Sequence, residues 1–294
     1  DFQAGMTMGR NPYAGECSLI KNFYASSSGQ LIKRRGMEFL YQFRDSNNVP
    51  RPIDGMHFYT DGTTRYLLVA YAGNVKRYNL TTGEAESSAF KTGLTANKKI
   101  HFLDFYDRIV AGNGYDTPFS ITSGNSCSDM TNIIGNYDLF ADYQGYLACV
   151  ASLNATYRDT VYFGDQYAVT NTQDNHYTLT GSRVEGIMAL KAFSDELTVV
   201  SRENYYRLSG VRFSQFYPQR GWVGIGAQAH EACQVYKNVG LVAPDEDGIY
   251  LYQGAEPKDV SIRIKSLYGD IPGSRLSSMW ARVVIKDTMQ YNHQ

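Results

Sequence analysis

The chain has 294 residues, enough for one large or two ordinary domains with a real core. Its formal net charge of −1 excludes a global basic field that captures nucleic acid by neutralising phosphates, so any contact with DNA has to be local. The 24 Tyr and 14 Phe against 2 Trp, together with 27 Gly, favour many short strands joined by turns over long helices. Cys17, Cys127, Cys149 and Cys233 lie far apart with no CxxC pair, which argues against a zinc ribbon or a disulfide framework and for free, small, buried hydrophobes. No apolar run approaches the roughly 18 residues of a membrane span, so no span is expected. The chain begins at Asp1 without Met and without a charged-then-apolar leader, and so reads as a processed or partial product.

Residues 1–45 read as an N-terminal arm carrying closing strands, and 46–294 as a repeating β domain. Within the arm, Cys17, Ile20 and Tyr24 stand at roughly helical spacing, which predicts at most one short helical turn in Pro12 to Ala25. After the Ser26–Gly29 turn signal, Leu31–Lys33 and Met37–Phe43 read as a strand pair broken at Gly36. The basic triplet Lys33, Arg34 and Arg35 reads most simply as a solvated strand edge that discourages edge pairing. An interface is the sharper reading of the same three residues.

From about Ile53 a unit recurs every 45 residues or so, the length of a four-stranded propeller blade. First strands are predicted at Met56–Tyr59, Ile100–Phe105, Leu139–Tyr143, Ile187–Phe193, Cys233–Lys237 and Met279–Ile285. Hairpins follow at Tyr66–Leu80, Arg108–Ile121, Glu196–Leu208 and Val239–Gln253, each an apolar strand, a polar or Gly turn, and a return strand rich in aromatics. In the third unit a polar connection, Leu153–Asp159, separates Tyr146–Ser152 from Thr160–Phe163. Leu67–Ala70, Leu197–Val200 and Leu241–Ala243 are nearly continuous apolar runs. Such runs fit a strand covered on both faces, as in the middle of a blade, better than the one-sided alternation of a sandwich. The prediction is an all-β propeller of about six four-stranded blades, with a large sandwich as the alternative. The sixth unit supplies about two strands, so Leu31–Phe43 is expected to pair with Trp280–Tyr291 in a composite last blade.

Sites for chemistry are sparse. The histidines are His57, His101, His176, His230 and His293; His57 and His101 occupy equivalent places in first strands, so a shared environment explains them better than a metal, and a ligand pair would also need a third donor in reach. Asp245-Glu246-Asp247-Gly248 lacks the later ligands of a calcium loop and reads as a hairpin turn. Gly221, Gly224 and Gly226 have no βαβ unit around them and do not make a nucleotide loop. No catalytic, cofactor or metal residues are assigned.

Two stretches carry a resemblance. Asn11–Phe39 (NPYAGECSLIKNFYASSSGQLIKRRGMEF) resembles the N-terminal signature of bacteriophage propeller proteins that build the tail nozzle, also called tail tubular protein B, or the packaged-DNA plug of short-tailed phages. The residues are Asn22, Gly29, Leu31, Arg34 or Arg35, and Gly36, with Arg35 standing where the family often has Pro. Gly221–Ile264 is similar to the family's blade pattern through Asp247-Gly248-Ile249-Tyr250, Gly254, Pro257 and Val260-Ser261. The resemblance implies a structural virion protein of the phage tail, without enzymatic activity or cofactors. It further implies a homo-oligomeric ring, expected to be a hexamer, contacting other tail or adaptor proteins and passing DNA without sequence-specific binding. A secreted propeller enzyme or lectin acting on polysaccharide is the alternative, and an aromatic platform with paired carboxylates at one mouth would favour it.

Overall fold

The computed structural model describes residues 41–122, 126–170, 175–179, 186–236, 240–254, 256–262 and 275, and the backbone of the short strands Gly5–Met6, Glu16–Cys17, Phe23–Ala25 and Leu31–Lys33. The protein is all-β and propeller-like. Five sheets follow one another in chain order, each four-stranded and antiparallel with neighbouring strands consecutive in sequence. The first sheet contains Ile53–Asp61, Thr64–Tyr71, Asn74–Asn79 and Glu84–Lys91. The second contains His101–Phe105, Arg108–Gly112, Phe119–Thr122 and Cys127–Asp129. The third is Leu139–Tyr143, Tyr146–Val150, Thr160–Gln166 and His176–Thr178. The fourth is Ile187–Phe193, Glu196–Ser201, Asn204–Ser209 and Tyr217–Val223. The fifth is Gln234–Tyr236, Gly240–Pro244, Ile249–Tyr252 and Lys258–Asp259.

The turns form for local reasons. Two-residue reversals at Ala72-Gly73, Gln144-Gly145 and Ser194-Asp195 hold both residues at positive φ, the geometry whose twist matches the flanking strands. First strands of neighbouring sheets approach one another along the series, so they form the innermost layer and the later strands lie progressively outward.

Burial explains why the sheets stack. Leu67, Leu68, Val69 and Ala70 are all buried, and so are Leu197, Thr198, Val199 and Val200. Alternate residues of each run enter different clusters. Leu197 and Val199 pack with Leu139, Val161 and Phe163 of the third sheet, whereas Val200 packs with Leu241, Ala243 and Tyr252 of the fifth. Four clusters thus fill the gaps between consecutive sheets. A sandwich has one such layer, so the sandwich alternative is excluded. Close approach requires glycine at Gly112, where a Cβ would stand 2.2 Å from the carbonyl oxygen of Tyr137, two residues before the third sheet begins.

The fifth cluster lies on the outer face of the first sheet, where Leu67, Val69, Tyr71 and Tyr78 are covered by Phe43. Phe43 is not part of a strand. Its ring meets Tyr71 at 5.1 Å and Tyr78 at 6.2 Å, so the expected strand end at Phe43 is replaced by an aromatic plug. Beside it Met56 and Phe58 remain 56% and 54% exposed.

The sequence reading of the arm needs two corrections. Cys17 and Tyr24, two of the three residues on which the helical turn was predicted, lie in the extended segments Glu16–Cys17 and Phe23–Ala25, and residues 18–22 lie outside the described residues. Leu31–Lys33 pairs antiparallel with Phe23–Ala25, in the register Phe23 to Lys33, a partner upstream of the one expected, while residues 26–30 and 34–40 lie outside the described residues. The sixth first strand, Met279–Ile285, and the pairing partner Trp280–Tyr291 lie outside the described residues. The other five first strands are present, shifted by at most a few residues at either end.

Candidate functional site

The innermost strands bring polar side chains together across the axis. His101 opens the first strand of the second sheet, and His230 and Glu231 sit in the turn that leads into the fifth. His101 Nδ1 is hydrogen-bonded to a carboxylate oxygen of Glu231, a contact between residues 130 apart in sequence. The His230 ring stands edge-on to His101, with centroids 5.0 Å apart. Lys191, in the first strand of the fourth sheet, places Nζ 3.3 Å from His230 Nε2. Ligand atoms of His101, His230 and Glu231 all lie within 4.8 Å of one another.

The electrostatics follow from burial and like charge. Burial lowers the Lys191 pKa despite the opposing pull of Cys233 and Glu231. Burial also holds His230 well below the usual histidine range, with Lys191 and His101 adding to the effect. For Glu231 burial opposes the charge, but the hydrogen bond and the charge of His101, with Lys191 and Lys99, leave its carboxyl below the ordinary value. Asp138, whose charge also reaches His101, is raised by burial although Ser152 donates to it through N–H and hydroxyl. His230 Nδ1 is buried and has no hydrogen-bond partner.

His57, which the sequence places at the same strand position as His101, does something different. Its Nε2 lies 2.8 Å from Asp104 Oδ1 and its ring stacks on Phe102. The repeat gives the two histidines one register but not one neighbour, because His101 alone faces the turn of the fifth unit. Sequence reasoning did not join His230 and Glu231 to His101. The signal was their common place at the entry to a first strand.

Asp245 has a structural role. Its carboxylate accepts from the Gly226 N–H at 3.1 Å, the Gln228 side-chain amide at 3.1 Å and the Glu246 N–H at 2.8 Å, tying the fifth hairpin to the glycine-rich passage before it. A Cβ at Gly226 would stand 2.0 Å from the Arg202 carbonyl oxygen, so that glycine serves close backbone approach. The sequence read Asp245–Gly248 as a hairpin turn, and Pro244 pairs with Ile249 across it. Cys149 and Cys233 are free and buried, and burial pushes the Cys233 thiol up to about 12. Of the three basic residues expected at an interface, Lys33 ends a described strand, but its side chain and all of Arg34 and Arg35 lie outside the described residues.

The surface also carries an aromatic pair. Tyr106, at the tip of the first turn of the second sheet, and Tyr167, after the third strand of the third, have ring centroids 5.2 Å apart and are 75% and 55% exposed. Beside them a groove of about 520 Å³ is lined by Phe58, Asp61, Asp104, Asp107 and Arg108, among others.

This geometry defines an all-β, propeller-like protein with a polar cluster on its axis. No family model matches the chain, and no curated protein matches it. Among solved structures it is similar to the extracellular domain described as that of a hybrid two-component system of B. thetaiotaomicron. Identity is 10%, the TM-score is 0.55, and the match covers 83% of this chain and 33% of that one. A second structure of that extracellular domain, described as belonging to a one-component system, matches at 11% identity and a TM-score of 0.56 with the same coverage. The chain thus spans about a third of the length of those domains, and at this identity the likeness is one of fold alone. Among the described residues no helix is long and apolar enough to cross a membrane.

Proposed function

We propose that this chain is a structural protein of a phage virion, a propeller that assembles with copies of itself into a ring at the tail or head-tail exit. The observation that carries the reading is where the resemblance falls. The passage Gly221–Ile264 spans the end of the fourth sheet's outer strand and all four strands of the fifth. The family-like residues therefore mark one structural unit and its connection to the unit before it. A stack of sheets joined by buried layers is a rigid wedge, suited to heterologous contacts that close into a ring. In this reading DNA passes through the ring of subunits, because side chains from the second, fourth and fifth sheets meet on the axis of each propeller. A formal net charge of −1 leaves little phosphate neutralisation to hold DNA in place. The ring is expected to be a hexamer, docked to other tail or adaptor proteins, with Lys33, Arg34 and Arg35 offered as interface residues. Sedimentation of the purified protein tests the reading: a discrete large species at micromolar concentration supports it, and a monomer at every concentration and ionic strength overturns it.

The Tyr106–Tyr167 pair beside Asp104 and Asp107 favours a second reading, binding of polysaccharide on an aromatic platform. Binding to a glycan panel that Tyr106→Ala and Tyr167→Ala abolish would support it. Absence of saturable binding in the wild type would dismiss it.

A further inference from the structure

We propose that His101, His230 and Glu231 form a transition-metal site, for which Zn²⁺ is the best fit, that staples the second sheet to the fifth across the propeller axis. Among the described residues these are the one group of three His, Cys, Asp or Glu side chains whose ligand atoms gather within 4.8 Å. Two imidazoles and one carboxylate suit Zn²⁺, which takes nitrogen and oxygen ligands at about 2.0–2.2 Å and leaves a fourth tetrahedral position for water when three protein ligands are present.

A second observation points the same way. A buried imidazole nitrogen ordinarily finds a partner, yet His230 Nδ1 has none, so one ring atom in the cluster awaits a partner of some kind. Tetrahedral ligands at these bond lengths stand about 3.3 Å apart. The present spread therefore contracts by an ångström or so on binding, while the contact of His101 with Glu231 opens. Ligation through His101 Nδ1 requires the proton on that nitrogen to leave it, and in a neutral ring it moves to Nε2 while the Glu231 carboxylate turns from that N–H to the metal. Lys191 is the counter-argument within the site, because an ammonium 3.3 Å from His230 Nε2 repels a cation. Binding at His230 Nε2 displaces Lys191, and binding at Nδ1 leaves it behind the ring.

The two halves of the site belong to residues 130 apart in sequence, so a bound ion couples sheets that local hairpins do not connect. The inference concerns only this chain's axis and stands independently of the virion reading. Equilibrium dialysis of chelator-treated protein against ZnCl₂, with metal counted by mass spectrometry, tests it. One Zn²⁺ per chain is expected, with His101→Ala and His230→Ala each weakening binding at least tenfold and His57→Ala, in the first sheet, leaving it unchanged. Zinc should also raise the melting temperature of the chelator-treated wild type by roughly 5 °C or more. Should the variants fail to fold, Co²⁺ loaded into the wild type gives an independent readout, and the intense visible bands of tetrahedral nitrogen and oxygen coordination are expected. No stoichiometric Zn²⁺ uptake, uptake that persists in the double histidine variant, or only the weak spectrum of solvated Co²⁺ would overturn the proposal.

Discussion

Val199 and Val200 are chain neighbours on the second strand of the fourth sheet, and both are fully buried. Across the ladder they face Tyr206 and Tyr205, yet their side chains enter different layers, one toward the third sheet and the other toward the fifth. Truncating either to Ala removes two methyl groups, about 1.6 kcal/mol of transfer free energy at ~0.8 kcal/mol each, and leaves a cavity that adds to the cost. The expected loss is about 2–3 kcal/mol for Val199→Ala and the same for Val200→Ala. Val242→Ala provides the comparison. That residue occupies the second strand of the fifth sheet but is only half-buried, and its truncation should cost less than about 1 kcal/mol. Urea denaturation followed by tyrosine fluorescence measures all three, with the slope checked for constancy so that midpoint shifts report stability. If one of the two adjacent valines were tolerated within about 0.5 kcal/mol, the strand would have one wet face and the stacked-sheet account would fail.

Thr198→Val should stabilise the fold by about 1 kcal/mol in the same assay, because the Thr198 hydroxyl is fully buried with no hydrogen-bond partner. Asp245→Ala should destabilise it by about 2–4 kcal/mol, since it strands the Gly226 N–H and the Gln228 amide, whereas Asp245→Asn, which keeps an acceptor oxygen, should cost less. Tyr143 donates to the carbonyls of Asp195 and Gly210, and burial, with the charges of Glu196 and Asp195, pushes its pKa from 10 up to about 12. The folded state therefore holds a proton that the unfolded chain gives up, and stability from this group is present below pH 10 and lost as pH rises from 10 towards about 12. A pH series of melting temperatures should accordingly fall less steeply above pH 10 in Tyr143→Phe than in the wild type.

The fold was legible where the physics is local. A run such as Leu197–Val200 signals cover on both faces, and Gly, Asn and Asp at the turns signal reversals, so five of the six predicted first strands coincide with observed ones. The arm was harder to read. Leu31–Lys33 could pair with either neighbour, and three-residue strands carry too little pattern to choose between Phe23–Ala25 and Met37–Phe43. The burial of Phe43 depends on the outer face of the first sheet, which no local spacing describes. The axial cluster was illegible for a related reason. His101 and Glu231 meet only because the second and fifth sheets face the same axis, and that proximity is set by the curvature of the stack. Their shared position at the start of a first strand was visible, but the direction in which each side chain points was not.

The central claim, that these propellers work by assembling into a ring, is tested most directly by electron microscopy of the purified protein. The account predicts closed annular particles with cyclic symmetry, six subunits around an open centre, and with each propeller's own axis filled. Isolated single propellers at all concentrations, or open filaments without closure, would contradict it.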